Sequence, residues 1–474
     1  MNANSTLYVD LDGSLIATDL LHESLLKLLR ASPLALLHLP AWWLHGKAFL
    51  KREVASRVDI DVTTLPYRPE VLQFVRDARA AGRRIVLTTA SDFKFAWRIA
   101  EHLKVFDAVL ASDGEHNLGG HRKLAAMQVD AAGGSFCYLG DRPVDLEVWR
   151  GADSAVVVSR SSSLVRRAAR QTRIDAHIKP GPTSLWRYLY AIRLHQWLKN
   201  VLVFLPLMPV LHELTWAIVT DAGLAFVAFG LMASGIYVIN DLLDLDSDRR
   251  HKRKRLRPFA SGEIRASTGL AMSAALCGGS LLLSVLMLPA AFVQVLLAYL
   301  VLTTSYSFFL KRRAIVDVFA LAALYTVRVA AGAAATGLPL SFWILSFSLF
   351  VFLSLALAKR YVELNGSQAE VSQMKKDRNY HPVDLPLVLC AGVAAGQMSA
   401  LVLSLYLQDQ QILERYGNPA LLWLLVPVFL FWIVRIWLKA VRGVLHDDPV
   451  VFAARDWVSR LAVAIAGVTL WVAG

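Results

Sequence analysis

Asn240-Asp241-Leu242-Leu243-Asp244-Leu245-Asp246-Ser247-Asp248 closes a long apolar segment and runs directly into Arg249-Arg250-His251-Lys252-Arg253-Lys254-Arg255. At helical spacing Asn240, Asp244 and Asp248 fall at i, i+4 and i+8 with Asp241 one position around, so several oxygen ligands project from one face. The dipole at a helix C-terminus disfavours carboxylates, so an acidic cluster there calls for a cation. Magnesium suits such oxygen donors, and it usually shares its carboxylates with substrate phosphates. The stretch therefore predicts a magnesium site for a diphosphate, with Asp241, Asp244 and Asp248 as ligands and catalytic residues and Asn240 beside the substrate.

The remainder of the chain divides into two unlike parts. Its 474 residues are 56% hydrophobic and 18% charged, and the mean hydropathy is +0.46, too apolar for an ordinary soluble protein. Residues 1–160 nevertheless alternate short β-rich runs with charged helical stretches, whereas apolar segments of spanning length recur from about 185 onward. Residues 161–185 read as a basic linker, with Arg166, Arg167, Arg170 and Arg173 ahead of Lys179-Pro180-Gly181-Pro182, suited to an anionic lipid surface. Cys137, Cys277 and Cys390 are far apart in apolar surroundings, so neither a disulfide framework nor a zinc site is suggested. Met1-Asn2-Ala3-Asn4 leads straight into a short strand, so no cleavable leader is expected.

Spanning segments are expected at about nine places: 201–214, 224–241, 267–286, 289–308, 315–335, 341–357, 385–407, 421–438 and 461–472. Loops after every second segment carry the basic residues: Arg249 to Arg257, Lys311 to Arg313, Lys359, Arg360, Lys375, Lys376 and Arg378, then Lys439, Arg442 and Arg455. The opposite loops hold little beyond Arg415. The positive-inside rule thus puts the acidic stretch and the N-terminal part on one cytoplasmic face, as in a bacterial inner-membrane protein. The net charge of +13 is mostly a topology and lipid-surface signal, and nucleic-acid binding is not expected.

The membrane half, residues 186–474, resembles the UbiA superfamily of intramembrane transferases. The resemblance rests on the Asn-Asp-x-x-Asp-x-x-x-Asp pattern at 240–248, on Arg257-Pro258, and on about nine helices with the motif at a cytoplasmic end. It implies an all-α membrane bundle in which magnesium helps ionise a diphosphate donor beside a lipid acceptor. Quinone and haem prenyltransferases of this family carry a second Asp-rich motif, whereas this chain offers Tyr306-Ser307-Phe308-Phe309-Leu310-Lys311 and then a single Asp317. With Arg193 to Asn200 opening the first helix and Lys359-Arg360-Tyr361 later, the pattern is most similar to the polyprenyl-phosphate phosphoribosyltransferase branch. That branch implies phosphoribosyl diphosphate as donor and a polyprenyl phosphate as acceptor. The extra phosphates suit Lys199, Asn200, Lys254, Arg257, Tyr306, Lys311, Asp317, Lys359 and Arg360 as substrate-binding residues.

Asp317 lies just inside an apolar run, where an ionised carboxylate is costly unless it meets a metal, a cation or water. Arg328, deeper in that segment, fits either a phosphate contact or an ion pair within the bundle, and Asp447-Asp448-Pro449 reads as a cytoplasmic turn. A prenyltransferase moving a prenyl diphosphate chain to an aromatic or lipid acceptor is the first alternative. A non-catalytic membrane scaffold with a regulatory cytoplasmic domain is the second. The rim position of the carboxylates argues against transport, whose sites lie near the midplane.

The N-terminal part carries four polar sites in order. Leu7-Tyr8-Val9 ends in Asp10-Leu11-Asp12-Gly13, two carboxylates at a strand's C-terminal edge, where open α/β sheets bind ligands. Arg84-Ile85-Val86-Leu87 then leads into Thr88-Thr89, Lys123 follows Gly119-Gly120-His121-Arg122, and Ser135 to Leu139 ends in Gly140-Asp141 with Asp145 beyond. This ordered set resembles the haloacid dehalogenase superfamily of phosphohydrolases, an α/β Rossmann-like fold with a small cap, here residues 14–65. The resemblance implies Asp10 as nucleophile, Asp12 as acid/base, Thr89, or less readily Thr88, on a phosphoryl oxygen, and Lys123 as charge neutraliser. It also implies magnesium at Asp10, Asp12, Asp141 and Asp145. The insert's Leu34 to Leu44 run is too short to span a bilayer and suits a helical cap or a helix resting on the membrane. Neither the sequence nor the resemblance gives the oligomeric state.

Overall fold

Strand β1 (Thr6–Asp10) lies between β2 (Ile85–Asp92) and β4 (Phe136–Gly140) in a six-stranded sheet. With β3 (Ala108–Ser112), β5 (Ser154–Val158) and β6 (Arg173–Ile178) the order is β3-β2-β1-β4-β5-β6, and every pair is parallel. The strands read as apolar runs because both faces are covered. Leu7, Val9, Ile85, Leu87, Cys137 and Leu139 pack on one side against Val71, Val75, Phe95 and Ile99. Tyr8, Val86, Phe136, Tyr138 and Val157 pack on the other against Met127, Trp149 and Leu164. This is the period-two alternation of a strand. The chain leaves β1 for β2 and β3, then returns to β4 on the opposite side of β1. That reversal is a topological switch point, and its crevice opens at the carboxyl ends of β1 and β4.

The computed structural model describes residues 5–366, 378–445 and 449–474, so Lys375, Lys376, Asp447 and Asp448 lie outside the described residues. The chain separates into two compact units, Met1–Ile192 with Tyr237–Ser273, and Arg193–Ile236 with Ala274–Gly474. The first unit holds the sheet, the insert between β1 and β2, and the acidic stretch. The insert is helical, with Leu20–Ala31, Leu39–Leu44 and Lys47–Arg57 as its main pieces. Its tryptophans divide: Trp42 is buried with the Arg57 guanidinium 4.4 Å from its ring centroid, while Trp43 is exposed with Leu34, Leu37 and Leu44.

The acidic stretch differs from one unbroken helix. The helix Trp216–Leu243 stops, Asp244 takes φ −96° and ψ 9°, and a short helix Leu245–Arg250 follows. Asp244 N still donates to Asn240 O at 3.0 Å and Asp248 N to Asp244 O at 2.9 Å, so the four-residue spacing survives the break. Leu26 of the insert joins Val238, Leu242, Leu245, Phe259, Ala260 and Ile264 in one buried cluster.

In the whole chain, eight helices among the described residues are long and apolar enough to cross a membrane: Leu194–Glu213, Trp216–Leu243, Ala266–Met287, Ala290–Arg312, Val316–Thr336, Phe342–Leu364, Pro382–Tyr406 and Pro419–Val441. The expected ninth is present as Trp457–Ala473, whose 17 residues reach only about 26 Å at 1.5 Å per residue, short of a bilayer's apolar core. The first, Leu194–Glu213, is broken by Pro206 and Pro209, with Val210 outside helical geometry. In the second unit Val316–Thr336 is an enclosed helix with Ala322, Ala331, Gly332 and Ala333 buried. A Cβ at Gly332 would collide with the Val203 carbonyl, so the small residue permits the close helix approach.

Candidate active sites

At the switch point, Asp10 ends β1 and Asp141 and Asp145 follow β4, and one oxygen from each lies within 4.8 Å of the others. Lys123 Nζ donates to Asp10 Oδ1 at 2.6 Å and to the Tyr138 hydroxyl at 3.0 Å, and both Lys123 and Asp10 are buried. Tyr138 donates in turn to Asp145 Oδ1 at 2.8 Å, and Asp145 Oδ2 accepts from the Asp141 and Arg142 amides at 3.0 and 2.8 Å. Ser14 Oγ bridges Asp10 Oδ2 at 3.1 Å and Asp141 Oδ1 at 3.3 Å. Gly13, at φ +85°, leaves room for Asp141, since any side chain there would strike that carboxylate.

Asp12 sits apart from the three crowded carboxylates. Its Oδ2 accepts from Ser91 Oγ at 2.6 Å and from Thr89 Oγ1 at 3.3 Å, and its Oδ1 accepts from the Leu20 amide at 2.9 Å. Thr88 is fully buried, opposite Asp10 in the sheet, and among the described residues its hydroxyl has no hydrogen-bond partner.

Burial, and then charge crowding, sets the proton affinities. Burial, with Asp19 and then Asp10 nearby, pushes the Asp12 carboxyl up to about 6. Burial and the charges of Asp10 and Asp145 push Asp141 up to about 7 despite Arg265 and Arg142. Burial disfavours the Lys123 ammonium, yet Asp10 and Asp145 outweigh it and hold Lys123 above its usual value. Three converging carboxylates, one of them raised that far, form an oxygen-only donor set with surplus negative charge, and this fits a magnesium ion.

The acidic stretch is ringed by cations within the first unit. Arg257 Nη1 donates to Asp241 Oδ1 at 3.0 Å and Asp248 Oδ2 at 2.7 Å, so two carboxylates converge on a single cationic nitrogen. Arg30 of the insert reaches Asp244 Oδ1 at 2.6 Å and the Leu243 carbonyl at 2.9 Å, and Lys27 pairs with Asp246. Asp241 and Asp248 thus meet on Arg257 while Asp244 turns to Arg30, so the three expected ligands are not gathered as Asp10, Asp141 and Asp145 are. Asn240 is partly buried beside this group, and Lys254 is exposed.

In the second unit Asp317 is fully buried at the start of its helix. Arg360 Nε donates to its Oδ2 and the Tyr380 hydroxyl to its Oδ1, each at 2.7 Å, and Arg378 Nη1 lies 3.5 Å from Oδ2 and 3.2 Å from the Tyr306 hydroxyl. Arg360 also pairs with Glu363. Tyr306, Asp317 and Arg360 are thus brought together, with Tyr380, which the sequence did not single out, and Arg378, read there only as a basic loop residue. Arg328 Nε donates to Asn200 Oδ1 at 3.0 Å, and its guanidinium lies 5.3, 5.2 and 5.7 Å from the rings of Phe229, Tyr299 and Tyr325. Lys199 stands 5.6 Å from the Tyr325 ring, while Lys311 and Lys359 are half-buried.

Sequence reasoning passed over Ser14, Ser91, Tyr138, Arg142 and Arg265. A serine or tyrosine in a turn or strand carries no pattern of its own, although the Gly-Ser and Ala-Ser pairs beside Asp12 and Thr89 stood in plain view.

The UbiA prenyltransferase family matches residues 210–455 and the haloacid dehalogenase-like hydrolases match residues 8–150. Protein y4nM of Sinorhizobium fredii is 40% identical over 95% of this chain and 87% of its own length. Decaprenyl-phosphate phosphoribosyltransferase of Mycobacterium tuberculosis is 32% identical over 43% of this chain and 68% of its own length. A solved UbiA homolog from Archaeoglobus fulgidus, bound to DMAPP and Mg2+, is 16% identical with a TM-score of 0.47, covering 60% of this chain and 99% of that one. The chain is a member of the UbiA prenyltransferase family that also carries a haloacid dehalogenase-like domain ahead of its membrane helices.

Proposed function

We propose that the membrane helices transfer phosphoribose from 5-phosphoribosyl diphosphate to a polyprenyl phosphate, and that the N-terminal domain then removes the 5-phosphate. The observation that carries the reading is the presence, in one chain, of two phosphate-handling constellations: Asp10 with Lys123, Asp141 and Asp145, and Asp241 with Asp248 and Arg257. The name of the mycobacterial relative supports a phosphoribosyl donor. So does Asp317, a single carboxylate held by Arg360, Tyr380 and Arg378 where a prenyl-diphosphate site would be expected to gather a second acidic motif.

In the transfer step the bond from C1 of ribose to the diphosphate oxygen breaks, and a lipid phosphate oxygen bonds to C1. Arg257 and the basic loop beside it balance the departing diphosphate. In the hydrolytic step an Asp10 oxygen attacks phosphorus, and the ribose 5-oxygen leaves with the proton held by Asp12. Asp12, now ionised, draws a proton from the water that cleaves the aspartyl phosphate, returning Asp10 as a carboxylate and releasing phosphate. Lys123, 2.6 Å from Asp10 Oδ1, orients the nucleophile and balances the phosphoryl charge. Magnesium, held by Asp10, Asp141 and Asp145 in one site and by Asp241, Asp244 and Asp248 in the other, would supply positive charge for the phosphoryl and diphosphate oxygens. The basic loops favour an inner-membrane protein with both sites on the cytoplasmic side.

The deciding experiment gives the purified chain magnesium, polyprenyl phosphate and either labelled phosphoribosyl diphosphate or labelled prenyl diphosphate with an aromatic acceptor. Label entering the lipid from the ribosyl donor supports the reading, and transfer only from the prenyl donor sinks it.

A further inference from the structure

We infer that Arg265, with Arg68 and Arg142, binds a second anionic group of the phosphatase substrate, so that this site selects a sugar phosphate bearing another phosphate. The inference rests on the phosphatase reading above.

Arg265 stands just ahead of the membrane helix Ala266–Met287, yet its Nη2 donates to Asp141 Oδ2 at 2.8 Å. The Asp141 side chain is 1% exposed and that of Arg265 is 49% exposed. A guanidinium seated on a buried carboxylate while half its surface faces outward stands at the mouth of the site, with further N–H donors to offer. Its placement is fixed by packing. Gly262 lies so close to the phosphatase loop that a Cβ there would come within 2.7 Å of Ala17 Cβ and 3.0 Å of Pro66 Cβ. Phe259, Ala260 and Ile264 are buried, and Arg187 holds Glu263.

Two more guanidiniums share this side. Arg142 Nη2 donates to Asp19 at 3.1 Å, and its Nε lies 3.7 Å from Asp141 Oδ1. Arg68 Nε donates to the Gly13 carbonyl at 3.1 Å. The attacking carboxylate already has its ammonium in Lys123. Three arginines beyond it exceed what one phosphoryl group requires, and planar guanidiniums suit phosphate oxygens. In the product proposed above, the second anion is the phosphodiester at the ribose 1-position.

The test uses the full chain in detergent with magnesium, and compares ribose 1,5-bisphosphate with ribose 5-phosphate. The wild type is expected to prefer the bisphosphate. At saturating magnesium, Arg265→Ala should raise KM for the bisphosphate roughly tenfold more than KM for ribose 5-phosphate, the worth of one charge-assisted hydrogen bond, because only the bisphosphate carries the second anion. In an Asp12→Asn background, calorimetric titration with the bisphosphate should show the same loss of affinity without turnover. Arg265→Lys should fall between, and it carries the comparison if the alanine variant is unstable. Equal KM changes for both sugars, or none, overturn the inference. If the wild type hydrolyses both sugars without preference, the second-anion site falls while the phosphatase stands; if it hydrolyses neither, both fall.

Discussion

Arg249, just after the acidic stretch, donates Nη1 and Nη2 to the two carboxylate oxygens of Glu23, in the insert between β1 and β2, at 2.8 and 2.6 Å, with both side chains under 5% exposed. Arg249 Nε also donates to the Ala260 carbonyl at 3.1 Å. Removing one partner strands a buried charge, whereas replacing both by apolar groups of similar volume can be neutral. Glu23→Ala is therefore expected to destabilise the first unit by about 3–5 kcal/mol. The double change Glu23→Leu, Arg249→Met should recover most of that loss in denaturant melts. Equal losses in the single and double variants would show that shape, rather than charge, governs this contact.

The two sites are expected to fail separately. Asp10→Asn removes the nucleophile held by Lys123, so phosphate release should stop while the 5-phosphorylated lipid accumulates. Asp241→Asn with Asp244→Asn should abolish pyrophosphate release and leave hydrolysis of a supplied sugar phosphate within about threefold of wild type, because these residues touch none of the reacting atoms there. Mass spectrometry of extracted lipid reads both. Pyrophosphate release lost in Asp10→Asn would show that the sites do not work independently.

Magnesium and pH should act together on stability. Asp12 is raised to about 6 and Asp141 to about 7, first by burial. A carboxyl raised on folding binds its proton more tightly in the folded state, so its contribution is fully present below the unfolded value and is lost as pH climbs through 6 and 7. Neutralising Asp141 with a cation removes its share of that loss. The rise in melting temperature on adding magnesium should therefore be larger at about pH 8 than at about pH 5. A magnesium effect that is flat across that range would place the metal elsewhere.

How far the sequence reached depended on whether a residue's partner was local. Asp10, Lys123, Asp141 and Asp145 were legible because four short motifs, three of them at strand ends and Lys123 at the start of a helix, stand in order, and the switch between β1 and β4 gathers them. Arg265 was not, because it arrives from 124 residues away in the half of the chain read as membrane. Asp317 was legible as a carboxylate inside an apolar run, but Tyr380 and Arg378, which lie beyond another helix, offered no spacing signal. The break at Asp244 was hidden for a physical reason: the 3.0 and 2.9 Å backbone bonds across it preserve the spacing of a continuous helix.

The Arg30–Asp244 pair gives the insert between β1 and β2 a measurable hold on the acidic stretch. Arg30 Nη1 sits 2.6 Å from a carboxylate expected to serve magnesium, and the side chains are 35% and 30% exposed. An arginine there competes with the metal for the same oxygen. At such exposure the pair is worth at most about 1 kcal/mol, roughly a fivefold effect. Arg30→Ala should accordingly lower the magnesium concentration that half-saturates pyrophosphate release by about two- to fivefold, with little change in the maximal rate. If Arg30 instead steadies Asp244 in its ligating position, the alanine variant will need more magnesium, so the direction of the shift alone separates a competitor from a brace.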